Sequence, residues 1–115
     1  MIKLRCYTIL KEEINEIKKV MLFVSSEGVY LYLYNVTNDV PSFADYYFDA
    51  IDEAEEICFK DYNIKRSDWI NINEPEAYCQ HDIISPVRIK GRELGKPQWG
   101  KFEKLVNGKW VDYEF

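Results

Sequence analysis

Residues 43–73 read FADYYFDAIDEAEEICFKDYNIKRSDWININ and decide the fold, because they predict a strand, a helix and a second strand in succession. The helix is expected over about residues 50–62, where apolar residues recur at helical spacing and share one face. These residues are Ile51, Ala54, Cys58 and Tyr62. Asp49 is the predicted N-cap, and Asn63 is the predicted left-handed residue that follows the last turn.

The rest of the chain predicts strands that surround this helix. Alternating or β-rich segments lie at residues 2–10, 19–25, 29–34 and 87–90. Residues 11–17 favour helix but are few, so they predict a turn of helix or a loop. Near the C-terminus, Asn107-Gly108 separates two alternating segments and predicts a two-residue β-hairpin. We therefore expect an α+β fold, with a mainly antiparallel sheet and one principal helix packed on one face.

Length and composition restrict the class of protein. At 115 residues, 47% of them hydrophobic, the chain predicts a single globular domain. No apolar run approaches the roughly 20 residues that span a bilayer, and Met1–Arg5 lacks the apolar core of a signal peptide, so a cytoplasmic location is expected. Cys6, Cys58 and Cys79 are odd in number and unrelated in spacing, which predicts buried thiols and no metal site. No cofactor motif is present in the sequence, and no cofactor is predicted.

Charge is segregated along the chain, whose formal net charge is −5. Residues 43–85 carry eleven acidic against three basic residues, whereas residues 86–115 carry seven basic against four acidic ones. An acidic middle would attract a basic partner, unless it and the basic C-terminal stretch neutralise each other in the fold.

These features favour a small non-enzymatic interaction or regulatory domain of an inhibitor or immunity type. Its expected binding residues for a protein partner lie on the strand at 29–34 and on the helix. They are Tyr30, Tyr32, Tyr34, Glu53 and Glu56. The tyrosines would share one face of a strand and offer rigid contact area, and the carboxylates would attract a basic protein. The alternative is structural, with the tyrosines filling cross-strand pairs and the carboxylates forming a solvated helix face.

A second functional hypothesis is binding of nucleic acid or a phosphate ligand by residues 88–104. Basic and aromatic residues are interleaved there, as a groove that tracks a phosphate backbone and stacks bases requires. The candidates are Arg88, Lys90, Arg92, Trp99 and Lys101. The net acidity of the chain and the lack of a nucleic-acid motif argue against this hypothesis.

A third hypothesis is a small enzyme that uses Cys79 and His81. On an extended segment the two side chains would point to the same face, which would allow the imidazole to activate the thiol. A glycine-rich oxyanion turn is missing beside them, which argues against catalysis. Independently, an exposed strand edge at 69–73 or at the C-terminal hairpin could pair across a two-fold axis and form a homodimer.

Overall fold

The computed structural model describes residues 4–115, and its contacts group the chain into two compact units. The N-terminal unit contains residues up to Asn38 and Ser42–Glu74, and the C-terminal unit contains Asp39–Pro41 and Pro75–Phe115. The elements of the N-terminal unit are β1 (Arg5–Ile14), β2 (Ile17–Val24), β3 (Val29–Tyr34), β4 (Ala44–Phe48), α1 (Ile51–Tyr62) and β5 (Ile70–Ile72). Those of the C-terminal unit are β6 (Val87–Ile89), β7 (Phe102–Val106) and β8 (Lys109–Tyr113).

The five strands of the N-terminal unit form one antiparallel sheet in the order β4-β3-β2-β1-β5. The strand-helix-strand stretch therefore begins at one edge of the sheet with β4 and ends at the other with β5. Helix α1 lies between them in the chain and packs on one face of the sheet, which confirms the predicted arrangement. The strand residues of this core are Cys6, Ile17, Val20, Leu22, Val29, Leu31 and Leu33.

Helix α1 buries the face that its spacing predicts. Ala54 and Cys58 are fully buried, and Ile51 and Tyr62 pack against the same core. The N-cap prediction was wrong: Ala50, not Asp49, is the N-cap, and it makes no side-chain capping hydrogen bond. Asp49 and Ala50 connect β4 to α1, and the helix begins one residue later than expected.

The end of α1 is as predicted. Asn63 adopts the left-handed conformation, with φ 56° and ψ 35°. Its N–H donates to the carbonyl of Phe59, at 3.1 Å, and the N–H of Ile64 donates to the carbonyl of Cys58, at 3.2 Å. These bonds satisfy carbonyls that the helix end would otherwise leave unpaired.

The prediction of a helical turn or loop at residues 11–17 was wrong. Strand β1 continues to Ile14, which pairs with Ile17 of β2 across a two-residue turn. Asn15 and Glu16 have φ of 51° and 69° in this turn, as a tight hairpin between twisted strands requires. Pairing with β2 thus overrides the local helix preference of the Lys and Glu residues. The start of the predicted first strand, residues 2–3, lies outside the described residues.

The C-terminal unit contains an antiparallel sheet in the order β6-β7-β8. Asn107 and Gly108 join β7 to β8 with φ of 51° and 78°, which confirms the predicted hairpin. The α+β class is confirmed as well, with two antiparallel sheets and one α-helix among residues 4–115.

Candidate functional site

The three candidate tyrosines of β3 do not form an exposed stripe. Tyr34 and Tyr32 are buried, and Tyr30 is half-buried. The hydroxyl of Tyr34 donates to Met21 Sδ at 3.7 Å, and the ammonium of Lys19 lies 4.3 Å from the centre of the Tyr34 ring. These contacts fix the Tyr34 ring within the sheet, and its burial leaves it inaccessible to a partner protein.

Tyr30 is the centre of a cross-strand aromatic cluster. Its ring stacks on Phe23 of β2 at 6.5 Å and on Tyr32 at 6.2 Å, and it meets Tyr47 of β4 edge-on at 5.4 Å between centroids. Tyr32 is a neighbour on β3 itself, whereas the contacts with Phe23 and Tyr47 are cross-strand pairs, which stabilise sheets by roughly 0.2–1 kcal/mol each. The tyrosines of β3 thus act as cross-strand partners, and the exposed aromatic surface of this sheet is carried by β4 instead.

Helix α1 presents a second stripe beside its buried face. The stripe occupies positions i, i+3, i+4 and i+7 and consists of Asp52, Glu55, Glu56 and Phe59. Phe59 is 56% exposed. Phe59 is not among the residues predicted from the sequence, whose aromatic candidates were the tyrosines of the strand at 29–34 and Trp99 in the basic stretch. The available signal was an aromatic residue at helical spacing from three carboxylates.

This stripe lines a groove of about 370 Å³. The other lining residues are Ile64, Arg66 and Trp69, which follow α1 in the chain. We call this the α1 groove. It combines carboxylates with the rings of Phe59 and Trp69. Of the two predicted helix residues Glu56 lines it, whereas Glu53 is exposed on α1 outside it.

Two of the groove carboxylates have basic partners from the same unit. The guanidinium of Arg66 donates from Nε and Nη2 to Glu55 Oε2, at 3.3 and 3.2 Å. Lys60 Nζ lies 2.8 Å from Glu56 Oε1, and this hydrogen bond lowers the pKa of Glu56 and raises that of Lys60. Among residues 4–115 Asp52 forms no ion pair. Its charge, together with the exposed Glu53 one residue on, leaves the groove negative.

The basic stretch of the C-terminal unit is largely engaged in ion pairs within that unit. Arg88 Nε donates to Glu103 at 2.7 Å, and its guanidinium lies 3.7 Å from the centre of the Trp110 ring. Lys90 Nζ donates to Asp112 at 2.7 Å, and this bond raises the pKa of Lys90.

The remaining candidates for nucleic-acid binding differ in exposure. Arg92 Nη1 donates to Gln80 Oε1 at 3.1 Å. Trp99 is 72% exposed and Lys101 is exposed. A phosphate backbone would therefore meet Trp99 and Lys101 but would have to displace Glu103 and Asp112 to reach Arg88 and Lys90.

Cys79 and His81 do not share an exposed face. Cys79 is buried and His81 is exposed. Residues 77–78 and 81–82 form turns, and Tyr78 has φ 66°, so the segment is not extended as the catalytic hypothesis assumed.

The thiols of Cys6 and Cys58 lie in the core beneath α1. Burial raises the pKa of each to about 12, which keeps both thiols neutral and unreactive at physiological pH. Within the part of the chain that the structure describes, no cluster of three or more His, Cys, Asp or Glu residues could hold a metal ion. None of its helices is both long and apolar enough to cross a bilayer.

Comparisons with protein-family models, with curated proteins and with solved structures found no match for this chain.

Proposed function

We propose that this chain is a small non-enzymatic interaction domain that binds a basic partner protein through the α1 groove. The observation that supports the proposal is the composition of one groove, in which three carboxylates lie beside the 56%-exposed ring of Phe59. An acidic helix face alone would be ordinary solvated surface. An exposed aromatic ring within that face adds the apolar contact that gives a binding site most of its affinity.

The groove suits the side chain of an arginine or lysine. The alkyl stem of such a residue packs on aromatic rings while its charged end remains near carboxylates. Here Phe59 and Trp69 would receive the stem, and Asp52 would receive the charge. Arg66 already places a guanidinium on Glu55, but 73% of its side chain is exposed. A partner's guanidinium could replace it at small cost, because an exposed ion pair contributes only about 0–1 kcal/mol.

The proposed role is that of an inhibitor- or immunity-type protein. Complementary charge steers encounter and raises the association rate, and a covered basic surface on the partner would lose access to its own ligand. A cytoplasmic location belongs to the same proposal, supported by the three free and buried cysteines.

The test compares two variants that remove the same charge from different places. Asp52→Asn/Glu56→Gln alters the α1 groove, and Glu12→Gln/Glu16→Gln alters exposed positions on and beside β1. Wild type and both variants are immobilised on a solid support and exposed to lysate of the source cells. The captured proteins are then identified at low and at high salt. We expect a discrete basic protein that binds to wild type and to the β1 variant, but at least about tenfold less to the groove variant.

Phe59→Ala separates a groove from a merely acidic surface. Since Phe59 is mostly exposed, its truncation should leave the fold intact and still weaken capture of the same protein. Equal loss of capture in both charge variants would show that general electrostatic attraction, and not the α1 groove, accounts for the binding. Recovery of nucleic acid instead, dependent on Trp99 and Lys101, would contradict the proposal and support the second hypothesis.

A further inference from the structure

Strand β4 is an unprotected edge of the five-stranded sheet. It pairs with β3 on one side, and on its other side no described strand pairs with it. Natural edge strands are commonly short or carry lysine or proline, which prevents pairing with another chain. The opposite edge follows this rule, because β5 has only three residues and Asn71 lies at its centre. Strand β4 has five residues, ADYYF, with neither lysine nor proline among them.

Exposed aromatic side chains flank this edge on both faces of the sheet. Phe43, Tyr46 and Tyr47 are 56%, 55% and 48% exposed. Tyr46 pairs with Leu31 and therefore lies on the face that carries α1, whereas Tyr47 contacts Tyr30 on the opposite face. A strand added beside β4 would cover aromatic surface on both faces, in addition to pairing the open main chain.

The sequence of β4 is complementary to itself in one antiparallel register. If two copies pair with Tyr46 at the two-fold axis, each Ala44 lies opposite Phe48 of the second copy, and each Asp45 lies opposite Tyr47. The small side chain then meets the large one, and the only charged residue lies opposite the Tyr47 ring, whose hydroxyl already donates to the carbonyl of Glu27 within its own copy. A shift of two residues that brings the Asp45 carboxylates opposite each other would be disfavoured by like-charge repulsion.

We propose that the chain forms a two-fold symmetric homodimer through β4, in which the two five-stranded sheets become one continuous sheet. The occupant of the edge is a second copy, because the favoured register needs the same five residues on both sides. This inference does not depend on the α1 groove. Trp69 of that groove adjoins β5 at the far edge of the sheet, so both grooves of the dimer would stay open.

The contact is small, which sets the concentrations for a test. A half-exposed aromatic side chain retains on the order of 100 Å² that a partner can cover. Three such rings and a paired strand bury less than the roughly 800 Å² per partner of a standard interface, so we expect micromolar dissociation. Sedimentation equilibrium at about 100 µM chain should then give twice the chain mass of 13.7 kDa.

Charge at β4 should dissociate the dimer. We expect Tyr46→Lys to raise the dissociation constant at least about tenfold, since two ammonium groups would meet at the two-fold axis. Ile70→Lys is the matched control, because Ile70 is 51% exposed on β5, the other edge. The circular dichroism of both variants must match that of wild type. A monomeric wild type at this concentration, or a dimer sensitive only at Ile70, overturns the proposal.

Disulfide trapping tests the register itself. The native cysteines are all buried, so an introduced surface thiol is the reactive one. Residues opposite each other in an antiparallel ladder have Cα atoms about 4.5–5.5 Å apart, within disulfide range. With copper phenanthroline as oxidant, Tyr46→Cys should give a covalent dimer, and Asp45→Cys should do so efficiently only when mixed with Tyr47→Cys.

The trapping outcomes decide between edges and between registers. Efficient cross-linking of Asp45→Cys with itself would indicate another register and overturn the one proposed. Cross-linking of Ile70→Cys but not of Tyr46→Cys would move the contact to β5.

Discussion

At the scale of single residues, burial explains why the thiols of Cys6 and Cys58 are structural and not reactive. Cys6 and Cys58 are fully buried beneath α1, and burial raises the pKa of each thiol to about 12. In the unfolded chain a cysteine ionises near pH 8.5. The unfolded state therefore loses protons over a range in which the folded state keeps them, and this difference couples folding to pH.

The coupling predicts alkaline destabilisation. The contribution of a raised folded-state pKa is fully present below about pH 8.5 and is lost as the pH rises towards 12, at up to about 1.4 kcal/mol per pH unit and thiol. We expect Cys58→Ala to lose about 1–2 kcal/mol at pH 7, because it leaves a small cavity. Its free energy of unfolding should then fall less steeply than that of wild type between pH 8.5 and pH 11.

Urea unfolding under reducing conditions at several pH values measures how steeply the free energy of unfolding falls with pH in wild type and in Cys58→Ala. Ile57→Ala is the control, because it truncates a partly buried neighbour on α1 and keeps both thiols. It should lower stability and retain the wild-type slope. Parallel curves for wild type and Cys58→Ala would show that the thiols do not set the alkaline limit.

At the scale of elements, the sequence was informative where local signals and tertiary packing agree. Helix α1 and the hairpin at Asn107-Gly108 could be predicted because helical spacing and turn chemistry demand the structures that the packed fold also requires. Residues 11–17 could not, because their composition favours helix while the partner strand β2 stabilises a continued strand. The same limit applies to the tyrosines of β3: alternation predicts which face they share but not what covers that face.

The basic stretch around β6 shows the same limit for charge, and it carries a second prediction. Arg88 and Glu103 are each only 12% exposed, and the Arg88 guanidinium also lies over Trp110. Truncating Arg88 would leave the shielded carboxylate of Glu103 without this compensating charge. We expect Arg88→Ala to destabilise the protein by about 3 kcal/mol.

Lys101→Ala is the comparison for this prediction. Lys101 is exposed and forms no ion pair among the described residues, so its loss should change stability by no more than about 0.5 kcal/mol. Thermal or urea unfolding measures both effects. If Arg88→Ala were as stable as wild type and instead abolished binding of single-stranded nucleic acid, the structural role assigned to Arg88 would be incorrect.

For the whole molecule, the segregated charges of the sequence are organised by unit. The acidic residues of α1 meet Arg66 and Lys60, and the basic residues of β6 and its following turn meet Glu103 and Asp112. Each unit thus contains ion pairs of its own, and the α1 groove keeps an excess of negative charge. A count of charges along the chain detects this negative excess. Only the helical spacing of the stripe on α1 shows that Phe59 lies among the carboxylates.

The central strands of the N-terminal sheet and the C-terminal hairpin differ in how deeply they are buried, and this difference predicts their hydrogen exchange. Val20, Met21 and Leu22 of β2 are fully buried, whereas every residue of β7 and β8 is at least partly exposed. Amides exchange through the opening of lowest free energy that exposes them, and a segment with few buried apolar contacts opens at a low free-energy cost.

We expect the amides of β2 and β3 to exchange only on global unfolding. Those of β7 and β8 should exchange through an opening about 2 kcal/mol lower, at roughly thirtyfold higher rates. Exchange measured by NMR with increasing urea separates the two, because the global opening responds strongly to urea and the smaller one weakly. Equal protection and equal urea dependence in all four strands would mean that the β7–β8 hairpin unfolds only with the whole molecule.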